Sequence, residues 1–212
     1  MGKEFIELFE QWADSYDKSV TGHDIEYKEV FKHYEVILQE IAKRSFGHVL
    51  EFGPGTGNLT EKLLKKGLFV TAFEPSPSMR KKAIEKLGEG AEIKDGDFLN
   101  YSVQNDVQTI VSSYAFHHLT DEEKEEAIGS YSNLLQTGGK IVFADTMYES
   151  VEAYKRAISD AQEKGFHNLA EDLEREYYTT IPVLKRFMNS NNFSVTFERI
   201  NDFVWIMEGT KN

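Results

Sequence analysis

Three glycines at alternate positions are the feature of this sequence with the clearest chemical meaning. They stand in the segment HVLEFGPGTGNLT, residues 48–60, as Gly53, Gly55 and Gly57. Glycine allows the backbone to turn tightly and leaves no Cβ between the chain and a ligand. The segment passes from a short apolar run into this turn, so the turn is a candidate ligand-binding loop.

The residues around the glycines narrow the choice of ligand. No Gly-Lys-Ser or Gly-Lys-Thr follows the loop, as a phosphate-binding loop requires, and Leu59 stands where a dinucleotide fingerprint has its third glycine. Glu74 ends the second predicted strand, where a carboxylate can accept both ribose hydroxyls. Asp97 and Phe98 follow the third, where a carboxylate can read an adenine amino group and a ring can lie against its face. An adenosyl ligand without phosphates fits this set better than a dinucleotide.

The order of the elements predicts how these residues are positioned. Strands and helices alternate from residue 48 onward, with strands predicted at 48–52, 68–74, 91–97, 107–113 and 140–146. This alternation predicts parallel strands joined by helical crossovers. Only Asn201 and Asp202 separate the apolar segments 194–200 and 203–210, which permits an antiparallel hairpin and no crossover. We predict an α/β fold, a three-layer sandwich whose mostly parallel seven-stranded sheet ends in a C-terminal antiparallel hairpin.

No Pro-rich or Ser-rich linker divides the chain, so we expect one domain over residues 1–212. Its predicted parts are N-terminal helices that form part of a cap, a ligand-binding core, a helical insertion and the hairpin, at residues 1–45, 46–146, 147–190 and 191–212. The first of these helices is predicted from apolar spacing over residues 5–16. Asn58 is predicted to cap the helix after the glycine loop, and breaks in the insertion are predicted near Gly165 and at Pro182.

Composition excludes several classes of function. The 212 residues contain no cysteine, which excludes disulfides, thiolate metal sites and cysteine nucleophiles and fits a reducing cytoplasm. The formal net charge of −12 disfavours nucleic-acid substrates. No apolar run is long enough to span a bilayer, and the N-terminus does not read as a signal peptide. We therefore expect a cytoplasmic protein that binds neither nucleic acid nor membrane.

Four segments occur in the order and spacing typical of class I S-adenosylmethionine-dependent methyltransferases: VLEFGPGTGNLT, FEPSPSM, GDFLNY and VSSYAFHHL. The chain resembles this family over residues 48–146, and the terminal hairpin is also typical of it. With QWADSYD near its start, the whole chain is similar to the small methyltransferases of Gram-positive bacteria of the YrrT type. The resemblance implies a Rossmann-like fold, S-adenosyl-L-methionine as cofactor and methyl transfer as the activity.

The resemblance also implies roles for single residues. It places the glycine loop at the methionine moiety, Glu74 at the ribose, and Asp97 with Phe98 at the adenine. Glu51 would orient the loop or meet the methionine amino group, and Tyr16 would close over the ligand. Structural roles stay open for three of them: Glu51 could cap a backbone group, Asp97 could serve a turn and Tyr16 could be core.

The acceptor side is less defined. Ser113 ends the fourth predicted strand and joins the cofactor-binding set, and His117 and His118 follow at the edge where an acceptor would approach. An imidazole titrates near neutral pH, so either histidine could be a general base, or could instead cap or pack under the next helix. Asp145 is a second candidate base. A catechol-type metal site needs clustered Asp and Asn, which Asp145 alone does not supply, so no metal is predicted.

We expect an enzyme that transfers a methyl group from S-adenosylmethionine to a small-molecule acceptor, as a monomer or homodimer. A non-catalytic protein that binds S-adenosylmethionine or S-adenosylhomocysteine stays open. A nicotinamide-dependent oxidoreductase would also use a glycine loop and an acidic strand end, but the alternate-glycine spacing and the hairpin argue against it. The acceptor is not defined by the sequence.

Overall fold

In a computed structural model, the structure describes residues 24–103 and 106–212, together with residues 10, 16–18 and 20. The helix predicted over residues 5–16 therefore lies largely outside the described residues. Its last residue, Tyr16, begins a short helical segment, Tyr16–Lys18.

One sheet forms the centre of the described chain. Its strands are β1 (His48–Phe52), β2 (Phe69–Phe73), β3 (Glu92–Lys94), β4 (Thr109–Ser113), β5 (Lys140–Tyr148), β6 (Thr179–Thr180), β7 (Phe193–Arg199) and β8 (Val204–Lys211). The strand order is β3-β2-β1-β4-β5-β8-β7, and β6 pairs with β5 outside this series. Strands β1 to β5 pair in parallel, whereas β8 runs antiparallel to both β5 and β7. The predicted mostly parallel sheet with a terminal antiparallel hairpin is confirmed.

Helices cover the sheet between the strands. They are α1 (Tyr34–Arg44), α2 (Asn58–Lys65), α3 (Pro77–Leu87), α4 (Asp121–Leu134), α5 (Val151–Glu163), α6 (His167–Arg175) and α7 (Ile181–Ser190), with single 3₁₀ turns at Gly88–Gly90 and Phe116–His118. Successive residues of β4 face opposite sides of the sheet, so Ile110 belongs to one apolar core and Val111 to the other. Because both faces are covered, the central strands are continuous apolar runs, and the fold has three layers.

The insertion packs over one end of the sheet. Residues of α5 and α6 form a third apolar cluster with Val30, from the N-terminal region, and Tyr148, at the end of β5. Gly165, with φ +72°, separates α5 from α6, which confirms the predicted break there. The insertion therefore lies at the carboxyl end of β5, where the candidate residues of β4 and β5 also end.

Two local features differ from the sequence prediction, and a second predicted break in the insertion is confirmed. Strand β6 pairs with Met147 and Tyr148 of β5, and two residues are too few to give a periodic signal. The break predicted at Pro182 is present, because α6 ends at Arg175 and α7 begins at Ile181, and Pro182 itself lies in the first turn of α7, where its missing N–H costs nothing. The predicted cap Asn58 was wrong: Gly57, at φ +86°, is the N-cap residue, and Asn58 is the first residue of α2.

Within the described ranges, no helix combines the length and the apolar character needed to cross a membrane.

Candidate active site

A narrow cleft opens at the carboxyl ends of β1, β2 and β4. Sheets of this type bind ligands where the strand order reverses, which here is between β1 and β4. The cleft has a volume of about 50 Å³, and its lining includes Pro75, Met79, Tyr114 and Ala115. Six of the residues singled out from the sequence also line it: Tyr16, Gly53, Gly55, Glu74, Ser113 and His118. The other six do not line it: Glu51, Gly57, Asp97, Phe98, His117 and Asp145.

The three glycines of the loop are required for different reasons. All have left-handed backbone conformations, with φ of +65°, +56° and +86° at Gly53, Gly55 and Gly57. A Cβ on Gly53 would lie 2.8 Å from Cβ of Ala115, and a Cβ on Gly57 would lie 2.8 Å from Cδ1 of Leu87. At Gly55, no atom of the described residues lies within 4 Å of that position. Close packing therefore requires glycine at Gly53 and Gly57, whereas Gly55 leaves open space beside the cleft.

Glu74 connects the end of β2 to the glycine loop. Its Oε2 accepts a hydrogen bond from the backbone N–H of Gly55 at 2.9 Å, and its Oε1 accepts one from the N–H of Ser76 at 2.9 Å. Burial raises the pKa of Glu74 to about 7, although these two hydrogen bonds act in the opposite direction. Each carboxylate oxygen can accept more than one hydrogen bond, so both can also accept from a ligand hydroxyl.

Glu51 lies in β1 beneath the loop. Its Oε2 accepts a hydrogen bond from Oγ1 of Thr60 at 2.7 Å, whereas its buried Oε1 has no partner among the described residues. Burial raises the pKa of Glu51 to about 8. Buried polar atoms are nearly always hydrogen-bonded, so an orphaned carboxylate oxygen beside a ligand cleft fits a bound polar group or water.

Asp97 and Phe98 take structural roles. Oδ1 of Asp97 accepts from the backbone N–H groups of Leu99 and Asn100, each at 2.9 Å, which makes Asp97 a turn residue. Phe98 is buried, and its ring lies 5.2 Å from that of Phe52 and is therefore part of the aromatic core. The sequence prediction placed this ring against the adenine, but the ring is buried in the core and does not line the cleft. A tight turn places the ring inside the core, where burial stabilises it.

The short segment around Tyr16 closes the cleft from the N-terminal side. Oδ1 of Asp17 accepts from Oγ1 of Thr56 at 2.6 Å and from the amide of Asn58 at 3.0 Å, so it is attached to the glycine loop. The hydroxyls of Tyr16 and Tyr34 are hydrogen-bonded to each other, and burial raises the pKa of Tyr16 to about 12. Sequence reasoning missed Asp17, because an exposed carboxylate in a helix carries no signal of its partner.

The carboxylate of Glu10, like that of Asp17, accepts hydrogen bonds that attach the N-terminal region to the core, in this case at the start of α3. Its Oε1 accepts from Oγ of Ser76 at 2.7 Å and from the N–H of Ser78 at 3.1 Å, at the start of α3. Its Oε2 accepts from the hydroxyl of Ser78, and the hydrogen bonds from the Ser78 and Ser76 hydroxyls lower the pKa of the Glu10 carboxyl.

Two histidine–carboxylate pairs stand on the other side of the cleft. Nδ1 of His117 lies 2.6 Å from Oδ1 of Asp145, and Nδ1 of His118 lies 2.8 Å from Oε2 of Glu176. Burial lowers the pKa of His117, but the Asp145 carboxylate outweighs it and raises that pKa above its usual value. Burial, together with the neighbouring His117, lowers the pKa of His118. Sequence reasoning missed Glu176, which lies 58 residues from His118.

Tyr114 completes the lining with an unusual backbone. Its φ is +53°, a region that bulky residues enter only when the surrounding structure imposes it. The N–H of Tyr114 donates to the carbonyl of Ala144 at 2.9 Å, and its ring packs 5.2 Å from Phe31 and 5.7 Å from Tyr34. The conformation thus links the end of β4 to the N-terminal region across the cleft.

Comparison with known proteins agrees with this geometry. Residues 49–139 match the family model of a methyltransferase domain. An uncharacterized methyltransferase of Bacillus cytotoxicus is 58% identical over 211 residues, covering 100% of both chains, and one of Geobacillus is 58% identical over 212 residues, again covering 100% of both.

Solved structures show the same fold at low sequence identity. The DhpI–SAH complex superposes with a TM-score of 0.70 at 16% identity, covering 98% of this chain and 95% of that one. The magnesium protoporphyrin IX methyltransferase of Synechocystis with bound SAM gives a TM-score of 0.67 at 13% identity, covering 98% and 97%. The predicted Rossmann-like fold is confirmed by these likenesses. Because it is 58% identical over its whole length to methyltransferases of Bacillus cytotoxicus and Geobacillus, the chain belongs to the methyltransferase family.

Proposed function

We propose that the protein is an S-adenosylmethionine-dependent methyltransferase that acts on a small-molecule acceptor in the cytoplasm. The observation that carries the proposal is the hydrogen bond of 2.9 Å between the N–H of Gly55 and the Glu74 carboxylate at the cleft. This hydrogen bond places a buried carboxylate, which can accept both hydroxyls of a ribose, next to a glycine backbone that has no side chain to block the ligand. Membership of the methyltransferase family and the adenosyl ligands named in the DhpI–SAH and Synechocystis structures support this reading.

The described residues fit such a cofactor. Glu74 would accept the ribose hydroxyls, and Gly53 and Gly55 would lie along the methionine moiety. Oε1 of Glu51, which has no partner among the described residues, would accept a hydrogen bond from the amino group, directly or through a water. Ser113 would contact the cofactor from the end of β4.

Three residues contribute differently in this proposal. Gly57 shapes the loop without a direct contact, because its missing Cβ faces Leu87. Asp97 holds the turn after β3 and offers its partly exposed carboxylate to the adenine amino group. The ring of Phe98 is not included among the proposed contacts.

The cleft must widen to admit the cofactor. Its volume of about 50 Å³ is far below the roughly 300–1,000 Å³ of ordinary ligand sites. Tyr16 forms one wall and Asp17 attaches that wall to Thr56 and Asn58. We propose that this wall moves outward when the cofactor enters and then closes over it.

The cofactor would supply a methyl group on a positively charged sulfur. The acceptor would form its bond to the methyl carbon in line with the methyl–sulfur bond, and that bond would break with its electron pair left on sulfur. The main task of the chain is therefore to align the acceptor. His118 lines the cleft and is the proposed acceptor contact, with His117 and Asp145 behind it.

Thermal unfolding with different ligands tests the proposal. A ligand at a hundred times its dissociation constant adds about 2.7 kcal/mol to stability, and each kcal/mol raises the midpoint of a domain this size by about 2–4 °C. We expect S-adenosylmethionine and S-adenosylhomocysteine to raise the midpoint and NAD to leave it unchanged. Stabilisation by NAD alone would overturn the proposal. Formation of S-adenosylhomocysteine with a panel of small acceptors then separates an enzyme from a protein that only binds the cofactor.

A further inference from the structure

Two histidines and a glutamate meet beside the cofactor cleft. His117, His118 and Glu176 each offer one ligand atom, and these atoms lie within 4.8 Å of one another. We propose that these three residues form a binding site for a divalent metal ion of the zinc class. The site lies on the acceptor side, because His118 also lines the cleft.

The donor set favours this class of metal. Catalytic zinc sites combine three protein ligands, such as two imidazoles and one carboxylate, with an open fourth position. Imidazole nitrogen suits Zn²⁺ and Co²⁺, whereas Mg²⁺ and Ca²⁺ prefer sites made of oxygen ligands. Two imidazoles in a group of three therefore select against the hard cations.

Asp145 orients one of the histidines as a metal site requires. Its Oδ1 lies 2.6 Å from Nδ1 of His117, and its Oδ2 accepts the backbone N–H of His117 at 2.9 Å. The N–H of Thr146 donates to Oδ1 of Asp145 at 2.7 Å, so the carboxylate is itself fixed. A carboxylate on one ring nitrogen is the usual outer partner of a metal-binding histidine, and it directs the other nitrogen toward the ion.

The spacing of the other two ligands is also suitable. Nδ1 of His118 and Oε2 of Glu176 lie 2.8 Å apart. Two ligands at about 2.1 Å from one ion lie roughly 3.0–3.4 Å apart, so a small outward shift would admit the metal. In this arrangement the metal would take the place of the hydrogen between Nδ1 of His118 and Glu176, and the neutral imidazole would carry its proton on Nε2 instead.

The chain holds the ligands at a fixed separation although they are distant in sequence. The N–H of Tyr177 donates to the carbonyl of His117 at 3.1 Å, and Nζ of Lys124 donates to the carbonyl of Tyr177 at 2.6 Å. The ring of Tyr178 stacks on His117 with 4.9 Å between centroids. The end of α6 is therefore attached directly to the turn that carries the histidines.

A metal here would have a role in the proposed reaction. An oxygen or sulfur of the acceptor bound at the open position would lose its proton to solvent water at lower pH, because a metal ion stabilises the anion. This role rests on the proposed function, whereas metal binding itself does not.

Metal titration of untagged, chelator-treated protein tests the site. We expect one Zn²⁺ per chain by calorimetry, and one Co²⁺ with the visible absorption of a nitrogen- and oxygen-ligated ion. Glu176→Gln and His118→Gln should each weaken binding at least 100-fold, and Asp145→Asn about 10- to 100-fold. The controls are Glu174→Gln and His167→Gln, which change exposed residues of α6 and should bind as the unaltered chain does.

Several outcomes would overturn the proposal. They are no stoichiometric binding by the unaltered chain, or equal binding by the Glu176→Gln and His118→Gln variants. Circular dichroism and the midpoint shift with S-adenosylmethionine are recorded on each metal-free variant, so that loss of fold is distinguished from loss of ligands. If the chain keeps the midpoint shift with S-adenosylmethionine but binds no metal, only the metal site is contradicted. If it binds metal but shows no such shift, only the proposed cofactor is contradicted.

Discussion

At the scale of single residues, Gly55 and Gly67 form a natural comparison. Both have a left-handed backbone, with φ of +56° and +80°, and at both the described residues leave the Cβ position open. Gly55 lines the cleft, whereas Gly67 is exposed in the turn after α2. The backbone cost of a side chain is therefore similar at the two positions, and only one of them faces the proposed cofactor.

Alanine at these positions should separate folding from binding. Gly55→Ala and Gly67→Ala should each lower the free energy of unfolding by about 1 kcal/mol, because alanine disfavours a positive φ. Gly55→Ala should also weaken S-adenosylmethionine binding at least tenfold, because its methyl group enters the space of the ligand. Urea unfolding and calorimetric titration measure the two effects. Unchanged affinity in Gly55→Ala would show that the cofactor does not lie along this loop.

The carboxylate of Glu74 gives a second test at this scale. Glu74→Gln removes a carboxylate that is ionised above its raised pKa of about 7, so the comparison is made at pH 8, and hydrogen bonds to charged groups contribute about 1.5–3 kcal/mol. The dissociation constant for S-adenosylmethionine should therefore rise by about 10- to 100-fold. Glu92→Gln, an exposed change in the neighbouring strand β3, is the control and should bind normally. Equal affinities in the two variants would remove Glu74 from the ribose site.

At the scale of elements, the sequence predicted the strands, which follow local patterns of apolar residues. It missed hydrogen bonds between residues that are far apart in the chain. The strands β1, β2, β4 and β5 follow local patterns, and the structure contains them. The partners of Glu176 and Asp17 are 58 and 39 residues away, and no local pattern reveals them. Phe98 follows a turn, and only the packing of the finished core decides where its ring points.

The N-terminal wall of the cleft gives a prediction for a whole element. Asp17→Ala removes the hydrogen bonds that attach this wall to Thr56 and Asn58. Association and dissociation of S-adenosylmethionine should both become faster, because the wall opens more easily, while stability changes by less than about 1 kcal/mol at this exposed residue. Stopped-flow fluorescence measures the rates. Asp24→Ala is the control, because among the described residues Asp24 accepts a local hydrogen bond from the N–H of Glu26, and equal rates in both variants would contradict a moving wall.

At the scale of the whole molecule, buried acids make stability depend on pH. Burial raises the pKa of Glu51 to about 8 and that of Glu74 to about 7, both above the usual value of 4.5. Between the usual and the raised values, the folded chain binds more protons than the unfolded chain. Stability from these groups is therefore complete below about pH 4.5 and falls as pH rises toward 7 and 8.

Glu51→Gln isolates one of these contributions. The variant keeps an oxygen for the Thr60 hydroxyl but cannot ionise, so its free energy of unfolding should fall less than that of the unaltered chain between pH 5.5 and 8.5. The difference should reach a few kcal/mol, since one pKa unit corresponds to about 1.4 kcal/mol. Urea unfolding at several pH values measures it, and parallel pH profiles would mean that Glu51 is ionised in the folded chain.

Cofactor binding should be linked to the same protons. A positively charged amino group beside Oε1 of Glu51 favours the carboxylate, so binding of S-adenosylmethionine near pH 7 should release protons and strengthen as pH rises toward 8. Calorimetry in buffers of different ionisation enthalpy counts the protons released. Glu51→Gln should release fewer. If the unaltered chain and the variant release equal numbers of protons, the amino group does not contact Glu51. In that case water alone would donate a hydrogen bond to Oε1 of Glu51.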